Sequence, residues 1–367
     1  MFSPLFSESA EVRGAAALGR SSLPMACVDS RTYHASAVEQ AWFSHKAAGR
    51  LCQLAKMQRG AIAPWLDYNQ RAALGQGSES PRPNELDVLS YWQLPGGRTE
   101  YIEPLTGMAR HPLVVGGYCG ASLRNGSREN SSHRAIPVAS PYTFNVSHIV
   151  FANACAEHRR CKGGRKLFFD LGWGRFAFGK DDSVAARAKL SQKMEVGSGS
   201  GGSLPLFMNT YARYCGSSHR PSHIFDTIHA WEAAPVAPEH MAKVLRNNTV
   251  FGNMVAKRAL HLHNVPVVIG GGGEGDFLRR LTADTRKEDF VAVKVDIDGG
   301  PEMEIVRKIA NTPELAELID ELFFECHFEF DGLDFGWGSS PGMATVDECL
   351  AVMFQLRAKG IRAHFWV

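Results

Sequence analysis

The arrangement of apolar positions divides the chain near residue 164. Before that point apolar residues keep neither a 3.6-residue nor a two-residue period, except over 36–57 and 65–74, where the spacing predicts helices. Stretches rich in Gly, Ser and Pro, such as 75–83 (GQGSESPRP) and 116–140, read as loops. Residues 1–164 are therefore expected to form an irregular N-terminal extension, a cap over whatever crevice the remainder builds. From Lys166 onward, short apolar runs alternate with amphipathic ones. Strands are predicted over 167–171 (LFFDL), 224–231, 265–269 (VPVVI), 290–297 (FVAVKVDI), 322–330 and 361–367. Helices are predicted over 203–214, over 302–310 with Pro301 in the first turn, and over 345–359. The last carries a Thr345/Glu348 capping box, with Gly360 just past its end. This alternation predicts an α/β domain over 165–367, doubly wound and Rossmann-like, around a mostly parallel sheet.

Chemistry-bearing residues gather where these strands end. FDLGWG (169–174) closes the first strand with Asp170, Gly172 and Gly174. Glycines there let a ligand approach the backbone, or simply turn the chain. A second glycine cluster at 197–202 follows what reads as an insertion over 180–195. IHAWE (228–232) sets Glu232 at the end of the next strand, where a carboxylate can accept both ribose hydroxyls of a nucleoside. In KVDIDG (294–299), alternation puts Val291, Val293, Val295 and Ile297 on one face and Lys294, Asp296 and Asp298 on the other. A salt bridge from Lys294 is the plain structural use of that group. In ECHFEFD (325–331), Glu325, His327, Glu329 and Asp331 share a face. If the two strands are parallel neighbours, those groups emerge beside Asp296 and Asp298. His327 then suits a general base, and Asp296, Asp298 and Glu325 suit a divalent metal; a solvated strand face is the simpler alternative. His261 and His263 share a face and read as partly buried histidines. Glycines 270–273 with Asp276 either meet a base ring or merely turn the chain.

Composition narrows the classes. Lys+Arg number 40 and Asp+Glu 38, giving a net charge of +2, which lacks the basic excess of a dedicated nucleic-acid binder. With 44% hydrophobic and 21% charged residues, the chain is not wholly disordered. No apolar run is long enough for a membrane span, and the first residues lack the apolar core of a signal peptide. Eight cysteines without a CxxC pair argue against a zinc ribbon or a thioredoxin-like motif. N-x-Ser/Thr sequons begin at Asn125, Asn130, Asn145 and Asn247. They suit an ER or Golgi lumen, or arise by chance in a cytoplasmic protein, so the compartment stays open.

Together, FFDLGWG, GGSLPLF, IHAWEA, EDFVAVKVDIDGGPEMEIV, IDELFFECHFEFDGLDFGWG and GIRAHFWV resemble the FkbM-like branch of S-adenosylmethionine-dependent methyltransferases, most closely its plant and algal members. The resemblance covers about 166–367, and YIEPLTGMARHPL (101–113) extends it into the N-terminal half. It implies S-adenosyl-L-methionine as cofactor and O-methyl transfer to a small-molecule acceptor, hydroxylated or sugar-type. It places Asp170, Gly172 and Gly174 in the methionine-binding loop, Glu232 at the ribose and Asp276 near the adenine. Asp296 would face the donor methyl and the substrate; the strand alternation described above, rather than the resemblance, groups Asp298 and His327 with it on the acceptor side. Two departures stand out: the first loop is long and interrupted, and a single strand follows the last helix where the family often has a hairpin. Two other readings compete. One is a glycosyltransferase using Asp296-Ile297-Asp298 as a DxD metal site, and the other is a non-catalytic member of the fold.

Overall fold

The computed structural model describes residues 31–40, 88–97, 99–105, 149–152, 154–155, 164–172, 204–215, 224–233, 253, 259–297, 301–326 and 344–366. Three short strands come first: β1 (Thr32–His34), β2 (Ser90–Gln93) and β3 (Thr99–Ile102), antiparallel in that order. The segment read as irregular thus contributes a small sheet. The helix predicted over 36–57 is visible at 37–40, while 41–57 and 65–74 lie outside the described residues.

Six further strands build the main sheet: β4 (Lys166–Leu171), β5 (Thr227–Trp231), β6 (Leu260–His263), β7 (Phe290–Val295), β8 (Glu321–Phe324) and β9 (Arg362–Phe365). All neighbouring pairs are parallel, in the order β6-β5-β4-β7-β8-β9. The winding reverses between β4 and β7, so the sheet has a switch point there. Around the sheet, among the described residues, lie α1 (Leu204–Tyr214), α2 (Phe277–Asp284), α3 (Pro301–Asn311), α4 (Pro313–Ala316) and α5 (Val346–Ala358).

Every position of β7 is buried, as expected of a strand covered on both faces. Val291, Val293 and Val295 pack with Phe277, Ile305, Ile309 and Leu356 of α2, α3 and α5. Phe168, Ala292 and Phe323 point the other way and pack against Phe207, Met208 and Tyr211 of α1. The protein is therefore mixed α/β with a parallel six-stranded sheet, compatible with a Rossmann-like fold. No helix among the described residues is long and apolar enough to cross a membrane.

Two strands differ from expectation. β8, expected over 322–330, ends at Phe324, so Glu325 and Cys326 follow it outside the ladder, and 327–330 lie outside the described residues. The third strand of the main sheet in sequence order is Leu260–His263, not 265–269, where Val268 makes an isolated bridge to Asp276. Pro266 has no amide hydrogen to give a ladder, so VPVVI becomes the exit from the strand rather than the strand. Elsewhere local signals hold. The capping box of α5 is formed, with Glu348 N donating to Thr345 Oγ1 (3.2 Å) and Thr345 N donating to Glu348 Oε2 (2.8 Å). Gly360 follows with φ +87°.

The N-terminal segment joins this sheet through buried charges. The Arg357 guanidinium on α5 is fully buried and pairs with Glu39 (3.3 Å) and Glu103 (3.2 Å). It also donates to Ala363 O on β9 (2.9 Å) and Tyr33 Oη (2.8 Å), while Trp92 Nε1 donates to Arg357 O (2.9 Å). His364 on β9 lies between Glu103 (2.6 Å) and Glu321 (2.9 Å), and Tyr211 Oη donates to Glu321. Burial alone would favour the neutral imidazole, but the two carboxylates hold His364 above its ordinary pKa. Among the described residues, disulfides add cross-links: Cys155–Cys215 ties the chain ahead of β4 to the end of α1, and Cys326–Cys349 ties the exit of β8 to α5 (Cα–Cα 5.3 and 6.2 Å).

Candidate functional site at the switch point

β4 and β7 leave the sheet side by side. Gly172 has φ +92°, and a Cβ there would lie 1.4 Å from Asp296 O, so only glycine lets the two strand ends approach this closely. Asp296 N donates to Leu171 O (2.9 Å), and Gly172 N donates to Trp231 O (3.2 Å). Because side chains alternate along parallel strands in register, Asp170, Lys294 and Asp296 all project toward the α1 face.

Lys294 is the hub. Its ammonium, fully buried, donates to Gly172 O (2.6 Å), Asp296 Oδ2 (2.8 Å) and Asp170 Oδ1 (3.2 Å). The salt bridge that alternation suggested is present, and it has two arms. Burial would discharge the lysine, yet Asp170 and Asp296 outweigh it and raise its pKa. The carboxyls respond differently. Burial, reinforced by the charge of Glu232, raises Asp170 despite Lys294. Asp170 Oδ2 has no hydrogen-bond partner among the described residues.

Asp296 also accepts from Trp366 Nε1 (3.1 Å). Its pKa lies well above the ordinary carboxylate range, first from burial and then from Glu325, with which it shares a hydrogen bond. Oxygens of Asp296, Glu302 and Glu325 fall within 4.8 Å of one another, a set of hard donors that matches a divalent cation by type. The fit is poor on other grounds. Asp296 is already bonded to an ammonium, which would repel a second cation, and Glu302 Oε1 accepts from Ile297 N (2.6 Å).

Asp170, Asp296 and Glu325 thus come together, with Glu232 close enough to act on Asp170. Glu232 is half-buried at the end of β5, where its N donates to His263 O (3.0 Å) and its O accepts from Asn264 Nδ2 (2.7 Å). Asp276 is engaged elsewhere. It N-caps α2, accepting from Arg279 N (3.2 Å) and from Gly272 N (3.3 Å). It therefore shapes the glycine turn, in which residues 270–272 all have positive φ. Gly174, Asp298 and His327 lie outside the described residues. Sequence reading missed Glu302 and Trp366. For Glu302 a signal existed, since an acid directly after the proline that opens a helix can reach back to the preceding strand end.

No family model matches the chain, and no curated protein or solved structure matches it. The chain is a mixed α/β protein in which buried carboxyls gather around one ammonium at the switch point, at the carboxyl ends of its strands.

Proposed function

We propose that this crevice binds S-adenosyl-L-methionine and that the protein is an O-methyltransferase for a small hydroxylated or sugar-type acceptor. The observation that carries the reading is the pair Asp170 and Glu232. They end adjacent parallel strands, flank the tight glycine approach at Gly172, and Asp170 offers a buried oxygen with no partner among the described residues. Crevices at such switch points take nucleoside ligands. In this reading Glu232 accepts the ribose hydroxyls, while Asp170, Gly172 and Gly174 line the methionine end. Asp276 acts through the glycine turn that it holds, on the adenine side. The cofactor supplies an electrophilic methyl group, so the protein chiefly positions donor and acceptor. Lys294 fixes Asp170 and Asp296 relative to each other. The acceptor's hydroxyl proton passes to His327, or to the Asp296–Glu325 pair, with Asp298 on the same side.

A second reading rests on the Asp296, Glu302 and Glu325 oxygens: a metal-assisted glycosyltransferase using Asp296-Ile297-Asp298. Lys294 counts against it, because the ammonium already occupies the place of a cation beside Asp296. Calorimetry of the full chain with S-adenosylhomocysteine, and separately with UDP plus manganese, tests both. Binding of the first alone is expected. Binding of UDP only with manganese favours the second reading. Failure of both ligands overturns the two together and leaves a non-catalytic fold.

A further inference from the structure

On the opposite face of the sheet, four polar side chains form a line. His229 of β5 and His263 of β6 are both buried, with Nδ1 of the first 3.1 Å from Nε2 of the second. His229 Nε2 lies 3.1 Å from Asp284 Oδ2 at the end of α2. His263 Nδ1 lies 3.0 Å from Glu274 Oε1, in the glycine turn that precedes α2. The line runs carboxylate, imidazole, imidazole, carboxylate.

Each of its three links needs one hydrogen. An ionised carboxylate only accepts, and a neutral imidazole carries a single N–H. Two neutral imidazoles therefore supply two hydrogens for three links. We propose that the His229–His263 pair is a one-proton binding site whose occupancy clasps or releases the glycine turn through Glu274. With the proton bound, all three links are made. Without it, one link opens, and that link is Glu274's. Its side chain is 55% exposed and can turn to water, whereas Asp284 is 28% exposed and is also held by Arg280 at 3.3 Å. Main-chain attachment survives either way, since Trp231 Nε1 donates to Glu274 O (3.1 Å).

The surroundings set the pH at which this happens. His261 stacks on His229 with ring centroids 4.8 Å apart. Arg280 from α2 and Arg165 from the approach to β4 line a cavity of about 330 Å³ that also reaches His229, His261, His263 and Asp284. Phe169 and Trp231 stack on the imidazoles without adding charge. Burial, followed by the neighbouring histidines and Arg280, pushes His229 down to about 3. Burial also lowers His263, against the opposing pull of Glu274. The extra proton thus binds below the ordinary histidine value, so the clasp is closed in acid and open at neutral pH. Sequence reading gave His261 and His263 no role, and it did not foresee His229, Asp284 or Glu274 as partners.

The proposal does not depend on what the crevice binds, and its test uses no ligand. Amide hydrogen exchange of residues 270–274 in the full chain, corrected for the intrinsic pH dependence, should show protection falling several-fold between pH 4.5 and 7.5. The amides of β7 serve as an unchanging control. Glu274→Gln is the sharper variant. A side-chain amide can donate to His263 Nδ1, so all three links form with no extra proton, and protection should stay high at both pH values. Glu274→Ala should leave the turn weakly protected at both. Equal protection of the wild-type turn at the two pH values overturns the proposal, and so does a Glu274→Gln variant that keeps the wild-type pH response.

Discussion

Two buried ionic clusters meet the same sheet, one around its β9 edge and one at the switch point, and they are built differently. Where the N-terminal segment docks, signs alternate from Glu321 through His364, Glu103 and Arg357 to Glu39. Despite its burial, Glu103 is held below the ordinary carboxylate range by His364 and Arg357. At the switch point one ammonium faces several carboxyls, and both Asp170 and Asp296 are raised. A matched cluster serves as a joint, because each buried charge is neutralised where it stands. An unmatched cluster is costly for stability, and groups with perturbed protonation are what a functional site needs. The contrast lies in charge balance: the docking cluster alternates signs, whereas the switch point sets several carboxyls around one ammonium.

The comparison is open to direct attack. The largest effect is expected at the joint. Arg357→Ala leaves Glu39 and Glu103 buried without their cation and should cost about 3–5 kcal/mol in denaturant unfolding. A loss under about 1 kcal/mol would show that the joint is not the seam described here. Lys294→Met should cost somewhat less, because Asp170 and Asp296 can take up protons in response. Its penalty should grow from pH 5 to pH 8, whereas a penalty independent of pH would contradict the raised carboxyls.

The two clusters also differ in the sign of their pH dependence. His364 is raised on folding, so its contribution is complete below the ordinary histidine pKa and disappears as pH rises through the folded value. Glu103 is lowered, so its contribution is present above its ordinary value and disappears as pH falls through the folded one. His364→Gln should therefore flatten the alkaline fall in stability and also shrink the acid limb, because His364 is the first of the two cations that hold Glu103 down, and thermal melts across pH would reveal both. On the binding side, Glu232→Ala should weaken S-adenosylhomocysteine by about 1.5–3 kcal/mol with the fold unchanged, as for a hydrogen bond to a charged group. Unaltered affinity by calorimetry would remove Glu232 from the crevice. The smallest effect belongs to neither cluster. Thr345→Ala should cost about 1 kcal/mol through loss of the α5 cap, a baseline against which both can be scaled.

What could be read from the chain beforehand follows the range of the interaction. The alternation of FVAVKVDI put Lys294 and Asp296 on one face, and the Thr345/Glu348 spacing located the start of α5, because both are local. The parallel pairing of β7 and β8 brings Glu325, just past the end of β8, beside Asp296, while His327 and Asp298 of the same reading lie outside the described residues. By contrast, the edge strand Leu260–His263 is too short and too polar to stand out, and α2 was hidden behind its capping residue, Asp276. Nor does any periodicity announce that Glu39 and Glu103 will meet Arg357, more than 250 residues away. Those contacts cross the 164/165 boundary, so residues 165–367 alone would leave Arg357 and Glu321 with fewer partners than they now have.

The contact between Arg357 and Ala363 has a consequence for how the molecule meets its own copies. In a parallel pair, alternate residues turn their backbone groups to the partner, and Arg362 and Trp366 bond to β8. Ala363 therefore presents its carbonyl to the open side of the sheet, where a foreign strand would seek to add. The guanidinium already holds that oxygen at 2.9 Å, and the N-terminal segment lies over the same place. A chain that lost this contact would leave the Ala363 carbonyl unmatched on the terminal strand, the kind of backbone group through which sheet edges pair.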